Sequence, residues 1–486
     1  MRFISELTNF KPFPDRPMKS VFLPLLLLVS QIVTSQTLKE KISDAYLRFE
    51  RDSQLQYGLS SLTVLNAETG EVIFSKNGTT GLAPASTLKT ITSITGYSLL
   101  KPGYKWETLL GYDGTLTGGV LKGNLIIKGS GDPSLGSSRY DETKPTILLA
   151  RWLEAARKAG INKINGDIIA DDLLFGTQTL PDGWVWGDIG NYYGAGSTAM
   201  TWRENEIGVN FTPGSRSGTP ATLKSTDPQV PGVRIVNEVI TGSPGSGDNV
   251  YAYSAPFGDI IYLRGTYGID LKKQIKISMP DPASFLAQEL RSQLSKAGIS
   301  ITGTATTARK IALDQKSAKA TQTIIDRYQS PDISRIVYWL NQKSINLYAE
   351  NLLKSAAIAD GRTGSFDDAT KTLTGYWNKK LGIDKNAISI LDGSGLSPEN
   401  RVTTLAMANI LYSAKSETWF PQFYESLPLY NNMKMKSGSI RHVLAYTGYQ
   451  KSATGTPLVF SFITNNYNGG SSAIRQKMFR VLDTLK

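Results

Sequence analysis

The chain predicts a mixed α/β (α+β) domain whose two halves are separated by a long β-rich insertion. Helical periodicity and a β-hairpin come early, and the same textures return near the C-terminus as helices followed by three strands and a last helix. Between them, from about Glu107, the sequence turns to short strands, glycines and turns. At 486 residues the chain also exceeds a single core of roughly 100–200 residues, so more than one unit is expected.

The first element is "MKSVFLPLLLLVSQIVTSQ", with a basic Lys19, an apolar run from Val21 to Val29, and Val33-Thr34-Ser35 ahead of Gln36. That is the pattern of a secretory signal peptide, placed at residues 1–35, with Met18 as an alternative start. The run is short and broken by Pro24, which does not suit a membrane span. The expectation is an exported protein of a bacterial periplasm or cell envelope, with no transmembrane span in the mature chain.

Next, Leu38, Ile42, Tyr46 and Leu47 recur at helical spacing. "LSSLTVLNAETGEVIFSKNG" reads as a hairpin around "NAETG", and "PASTLKTITSITGYSLL" as a helix ended by "KPG". Residues 108–309 form the inserted β-rich region, read as two nested units, with one helix in "KPTILLARWLEAARKAG". Helical spacing resumes with Ile333, Ile336, Val337 and Leu340, then Leu347, Leu352 and Leu353, and again in "SFDDATKTLTGYWNKKLG". Three strands follow in "NNMKMKSGSI", "HVLAYTGYQ" and "TPLVFSFITNN", and a helix with Ile474, Met478, Val481 and Leu485 on one face closes the chain. Residues 36–107 and 310–486 are thus expected to make one discontinuous domain.

Composition narrows the chemistry. There is no cysteine and a single histidine, His442, so disulfides, thiol chemistry and a His/Cys zinc site are excluded. No metal or other cofactor is expected. A formal net charge of +12 favours anionic surroundings, but without a Lys/Arg block the reading is a solvated basic surface rather than nucleic-acid binding. "KGSGDPSLG" lacks the Lys-Ser/Thr ending of a phosphate loop, and Asp171 with Asp172 read as turn residues, not a glycosidase pair. The aromatic residues Trp184, Trp186, Tyr192, Tyr193 and Trp202 read for the most part as core packing.

Three short elements could carry chemistry. Ser86 and Lys89 stand three apart in "PASTLKT", just after Pro84, where a helix begins and its free N–H groups favour developing negative charge. Spacing alone is weak, because Ser98 and Lys101 repeat it, and a capping serine with a solvated lysine is the ordinary alternative. "KSINLYAEN" places Ser344 and Asn346 in an apolar segment, where buried polar groups need partners, the alternative being Ser344 as a helix N-cap. "MKSGSI" places Lys436, Ser437, Gly438 and Ser439 at the start of a strand, where a glycine marks close approach and a cation could hold a carboxylate. The alternative is an edge strand with a protective lysine.

Together the three match the Ser-x-x-Lys, Ser-x-Asn and Lys-Thr-Gly type of signature shared by serine β-lactamases and penicillin-binding proteins. Their order, the long insertion, and "LKGNLIIKGSGDPSL", "NGDIIADD", "GWVWGDIGNYYGAG", "LDGSGLSPENRV" and "YTGYQ" resemble the class C low-molecular-mass penicillin-binding proteins, which are D-alanyl-D-alanine carboxypeptidases and endopeptidases. The resemblance spans essentially the whole mature chain. It implies a penicillin-binding/β-lactamase-like transpeptidase domain, peptidoglycan stem peptides as substrate, and β-lactam antibiotics as covalent inhibitors. It further implies Ser86 as nucleophile and Lys89 as base, its proton affinity lowered by burial and by the charge of Lys436. Ser344 would relay a proton, Asn346 would order Lys89 and the substrate amide, and Lys436 with Ser437 would bind the terminal carboxylate. The N–H groups of Ser86 and Ser439 would form the oxyanion hole. Asp188 and Tyr193 match positions lining a diaminopimelate subsite. Three residues depart from the pattern: Ile345 stands where Asp is common, Ser437 replaces Thr, and Pro398 stands where relatives often carry Arg, so that Arg401 or Arg441 is a candidate substitute. A β-lactamase shares the motifs but needs fast deacylation, and a penicillin-sensing wall protein that stays acylated is the non-enzyme alternative.

Overall fold

The computed structural model describes residues 36–486, so the expected signal peptide lies outside the described residues. Among the described residues no helix is long and apolar enough to cross a membrane. The expected opening of helix, hairpin and helix is observed as Leu38–Glu50, the strands Leu59–Asn66 and Val72–Lys76, and the helix Leu88–Leu100. The hairpin joins a six-stranded antiparallel sheet in the order Val72–Lys76, Leu59–Asn66, Pro457–Asn465, Val443–Lys451, Met433–Ile440 and Leu429–Tyr430. The first strand of the sequence is therefore paired with the last, and the two ends of the sequence close one sheet.

Alternation sorts the two faces of this sheet. Leu62, Val64, Phe460 and Phe462 face the first and last helices, where Ile42, Tyr46, Phe49, Ile474 and Met478 complete a core. The opposite face, through Leu65, Tyr449 and Val459, meets a helical layer of Leu88–Leu100, Ile333–Gln342, Asn346–Ala359 and Thr404–Ala414. Leu88–Leu100 is buried almost all round. Gly96 lets it approach Asn346–Ala359, since a Cβ there would lie 2.8 Å from Leu352.

The insertion leaves and returns at one place, where Trp106 and Ser330 exchange hydrogen bonds (Ser330 N–H to Trp106 O, 3.0 Å; Trp106 N–H to Ser330 Oγ, 3.0 Å). Its larger sheet runs Ala305–Thr307, Ile168–Asp171, Leu125–Lys128, Glu107–Tyr112 and Thr323–Gln329, and the first three of these are parallel. Thr323–Gln329 closes one edge of this sheet, paired with Glu107–Tyr112. Further out lie a three-stranded sheet built on Glu206–Thr212 and a four-stranded sheet built on Ile260–Gly268.

Two expectations need correction here. The insertion holds a second long helix, Pro282–Lys296, which the reading of this region as mostly β overlooked. Its Asp281 cap, Pro282 at the first turn, and Phe285, Leu286, Leu290 and Leu294 at helical spacing carry the same signal as the helix that was read. Asp172 is more than a turn residue: it is buried, accepts from the Arg309 N–H at 3.2 Å, and pairs with the Arg309 guanidinium.

Candidate active site

Ser86 lies in a tight helical turn, Ala85–Thr87, that runs directly into the Leu88–Leu100 helix. Ala85 is forced into a left-handed conformation (φ 45°), and two glycines make room for it. A Cβ on Gly395 would sit 1.9 Å from the Ala85 carbonyl, and one on Gly438 would sit 2.8 Å from the amide nitrogens of Ser86 and Thr87. The Met433–Ile440 strand therefore presses its backbone against the start of the helix.

Lys89, one turn on, is fully buried. Its Nζ is 3.0 Å from Ser86 Oγ, 2.6 Å from Asn346 Oδ1 and 2.7 Å from the Ser394 carbonyl. The Asn346 amide is oriented independently, because its Nδ2 donates to the Tyr193 carbonyl at 2.7 Å. Two of the three neighbours of Lys89 can thus only accept. A neutral amine has two N–H groups and one lone pair, so once both acceptors are served the lone pair is left for the Ser86 hydroxyl.

Burial pushes Lys89 down to about 7. The buried carboxylates Glu350 and Asp392 pull the other way, while Lys89 and Lys436 repel each other's charge. Lys436 itself is held well below the ordinary lysine range, first by burial and then by the charge of Lys89. Its Nζ donates to Ser344 Oγ at 2.9 Å and to the Ser437 carbonyl at 2.8 Å. Ser344 is no N-cap, since Ile345 takes that position and Ser344 has φ 55° just before the helix Asn346–Ala359. Ser437 is half-buried and Ser439 exposed, on the same strand as Lys436. Lys89 thus joins Ser86 to Asn346, and Lys436 joins Ser344 to its own strand.

Two residues absent from the sequence reading hold this cluster from behind. Glu350, four residues after Asn346 on the same helix, accepts from the Gly393 N–H (2.7 Å) and the Ser394 N–H (2.9 Å), and so fixes the carbonyl that Lys89 meets. Burial raises its carboxyl, with Asp392 adding to the effect. Asp392 gathers the loop after it, accepting from the N–H groups of Gly395 and Ser397, from Asn400 Nδ2 and from Trp184 Nε1 at 2.7–2.9 Å. A glutamate inside an apolar helical run was the available signal for Glu350.

The insertion reaches the site through Trp184, Asp188 and Tyr193. Tyr193 donates its hydroxyl to Asp188 Oδ1 at 3.2 Å, and burial raises the Asp188 carboxyl. Arg401 is turned onto its own loop, donating to the carbonyls of Pro398 and Asn400, and Arg441 sits at the tip of the hairpin between Met433–Ile440 and Val443–Lys451. Trp184 and Trp202 are buried as expected, whereas Trp186 (55% exposed) and Tyr192 (51% exposed) are not core residues.

A model of the D-Ala-D-Ala carboxypeptidase 3 (S13) family matches residues 43–485. The chain is 25% identical over 442 residues to the D-alanyl-D-alanine carboxypeptidase DacB of Haemophilus influenzae, covering 85% of this chain and 86% of that protein. It is also 25% identical over 451 residues to a D-alanyl-D-alanine carboxypeptidase of an Actinomadura species (strain R39), covering 86% of this chain and 80% of that protein. The crystal structure of penicillin binding protein 4 from Haemophilus influenzae superposes with a TM-score of 0.76 at 21% identity, over 91% of this chain and 98% of that one, a likeness of fold.

Proposed function

The chain belongs to the D-Ala-D-Ala carboxypeptidase 3 (S13) family, and from that premise we propose that it cleaves D-alanyl-D-alanine bonds of peptidoglycan stem peptides through an acyl-enzyme on Ser86, as carboxypeptidase and endopeptidase. The observation that carries this reading is the set of neighbours of Lys89, which leaves its lone pair facing Ser86 Oγ. The amine takes the hydroxyl proton as the oxygen attacks the carbonyl between the two alanines. The negative charge that develops on the carbonyl oxygen falls to the N–H groups of Ser86 and Ser439, with the helix start behind Ser86 favouring it. The proton then passes by way of Ser344 to the leaving amine, and water releases the acyl group.

Lys436 and Ser437 take the terminal carboxylate. Among the described residues Lys436 forms no salt bridge, so a substrate carboxylate supplies its counter-charge and favours the protonated ammonium. Asp188 and Tyr193 line the subsite for the third residue of the stem peptide, with Arg401 or Arg441 in place of the arginine missing at Pro398. β-Lactams are read as inhibitors that acylate the same serine, and the working place of the protein as the bacterial periplasm or envelope.

Purified protein incubated with fluorescent penicillin should be labelled covalently, and labelling should vanish in Ser86→Ala. The same preparation should release D-alanine from a muropeptide ending in D-Ala-D-Ala. Labelling without D-alanine release would instead mark a sensor, and label turnover within seconds a lactamase.

A further inference from the structure

The insertion carries an exposed aromatic surface that neither the fold nor the proposed chemistry uses. Along Asp248–Tyr253, Val250 and Ala252 point into the core, so Tyr251 and Tyr253 point out. Across the ladder Tyr251 stands opposite Arg264 and Tyr253 opposite Tyr262. The Arg264 guanidinium lies 5.3 Å from both the Tyr253 and the Tyr262 ring centres, and is held there by Glu238 at 2.7 Å. Trp186 extends the surface, its ring 6.3 Å from that of Tyr253 and inclined at 41°. Single exposed aromatics are ordinary, but here four rings and a guanidinium share one face, with Trp186, Tyr251 and Tyr262 each more than a third exposed.

This face runs into the candidate active site. Trp186 opens the short helix that carries Asp188. The strand that carries Tyr251 and Tyr253 also donates its Ala252 N–H to Asn191, two residues before Tyr193, whose carbonyl accepts from Asn346. We infer that the outer face formed by Trp186, Tyr251, Tyr253, Tyr262 and Arg264 binds the polysaccharide strand that bears the stem peptides. Pyranose rings present flat C–H faces to aromatic rings, and their hydroxyls can pair with the Arg264 guanidinium, the Glu238 carboxylate and the tyrosine hydroxyls. A peptide cut at Ser86 is covalently attached to such a strand, so a platform continuous with the peptide site meets it. This inference rests on the wall-peptidase reading for the identity of the polymer.

The test is co-sedimentation of the purified chain with wall polysaccharide stripped of its peptides, beside cleavage of a short soluble D-Ala-D-Ala peptide. Tyr262→Ala with Arg264→Ala, both at exposed positions, should weaken sedimentation at least about fivefold and leave peptide cleavage unchanged. Unchanged sedimentation in the double variant, or none by the parent protein, overturns the inference. So does a platform-dependent dimer, or platform-dependent binding to phosphatidylglycerol vesicles, with polysaccharide binding unaffected. If the parent protein sedimented with the polysaccharide yet released no D-alanine, the enzymatic reading would fall and this one would stand.

Discussion

Glu350 acts on Lys89 in two separable ways. Through Ser394 it positions a carbonyl that accepts from Lys89, and as a charge it favours the protonated amine. In Glu350→Gln one amide N–H must face the Gly393 or the Ser394 N–H, so the loop shifts and kcat should fall roughly 10- to 100-fold. The electrostatic change has the opposite character. With Lys89 as the proposed base, which must be neutral to work, kcat/KM should rise with pH through its transition near 7, and removing an anion that holds its proton should move that limb to lower pH. Rate profiles of acylation from pH 5 to 9 read both effects, and an unmoved acid limb in the variant would show that Glu350 is only a structural support.

The helix Asn346–Ala359 shows how a single element assembles polar functions in a core. Asn346, Glu350 and Lys354 recur every four residues, hence on one face, and meet Lys89, the 393–394 loop and the Gln178 carbonyl in turn. Lys354 is fully buried, 3.8 Å from the centre of the Phe366 ring, and burial pushes it down to about 7. Between that value and an unfolded lysine near 10.4 the unfolded chain binds the extra proton, so stability rises with pH over that window and the cost is greatest below it. Lys354→Met, close in volume, lacks this cost; its stability relative to the parent should be most favourable at pH 6 and decline by about 2 kcal/mol by pH 9. Chemical denaturation at the two pH values checks this, and a constant offset would sink it. The same helix marks what the sequence could tell. Ser344 and Asn346 stood out as polar residues in an apolar run, and so did Lys89 once they were set beside it. Glu350 and Lys354 had the same signal but no motif to attach it to. The hairpin Leu59–Asn66 and Val72–Lys76 was readable from alternation, whereas the parallel pairing inside the insertion was not, because short apolar runs such as Leu125–Lys128 and Ile168–Asp171 fix neither partner nor direction. The Tyr193 carbonyl left no trace at all, since a backbone contact has no side-chain signature.

That carbonyl makes the insertion part of the site. Gly190, where a Cβ would lie 2.2 Å from the Ala252 carbonyl, brings the short Trp186–Ile189 helix onto the Asp248–Tyr253 strand. Asn191 locks it there, its Oδ1 accepting from the Ala252 N–H at 3.1 Å and its Nδ2 donating to the Gly187 carbonyl at 2.7 Å. Asn351 ties the neighbouring insertion segments to the helical layer through the carbonyls of Gly131 and Thr198. Position is thus passed from an outer sheet through Asn191 to Tyr193, from Tyr193 to Asn346 and from Asn346 to Lys89, each step a single hydrogen bond or a short peptide segment. Asn191→Ala leaves the Ala252 N–H buried without its partner, at a cost of about 1–3 kcal/mol that falls on the outer sheet, away from the catalytic cluster. If the insertion merely decorated the domain, a folded Asn191→Ala protein would be acylated at the parental rate. Because Tyr193 sets the amide of Asn346, acylation by fluorescent penicillin should slow about tenfold while the far-ultraviolet dichroism of the chain is unchanged, and a parental acylation rate in a folded variant would separate the two halves.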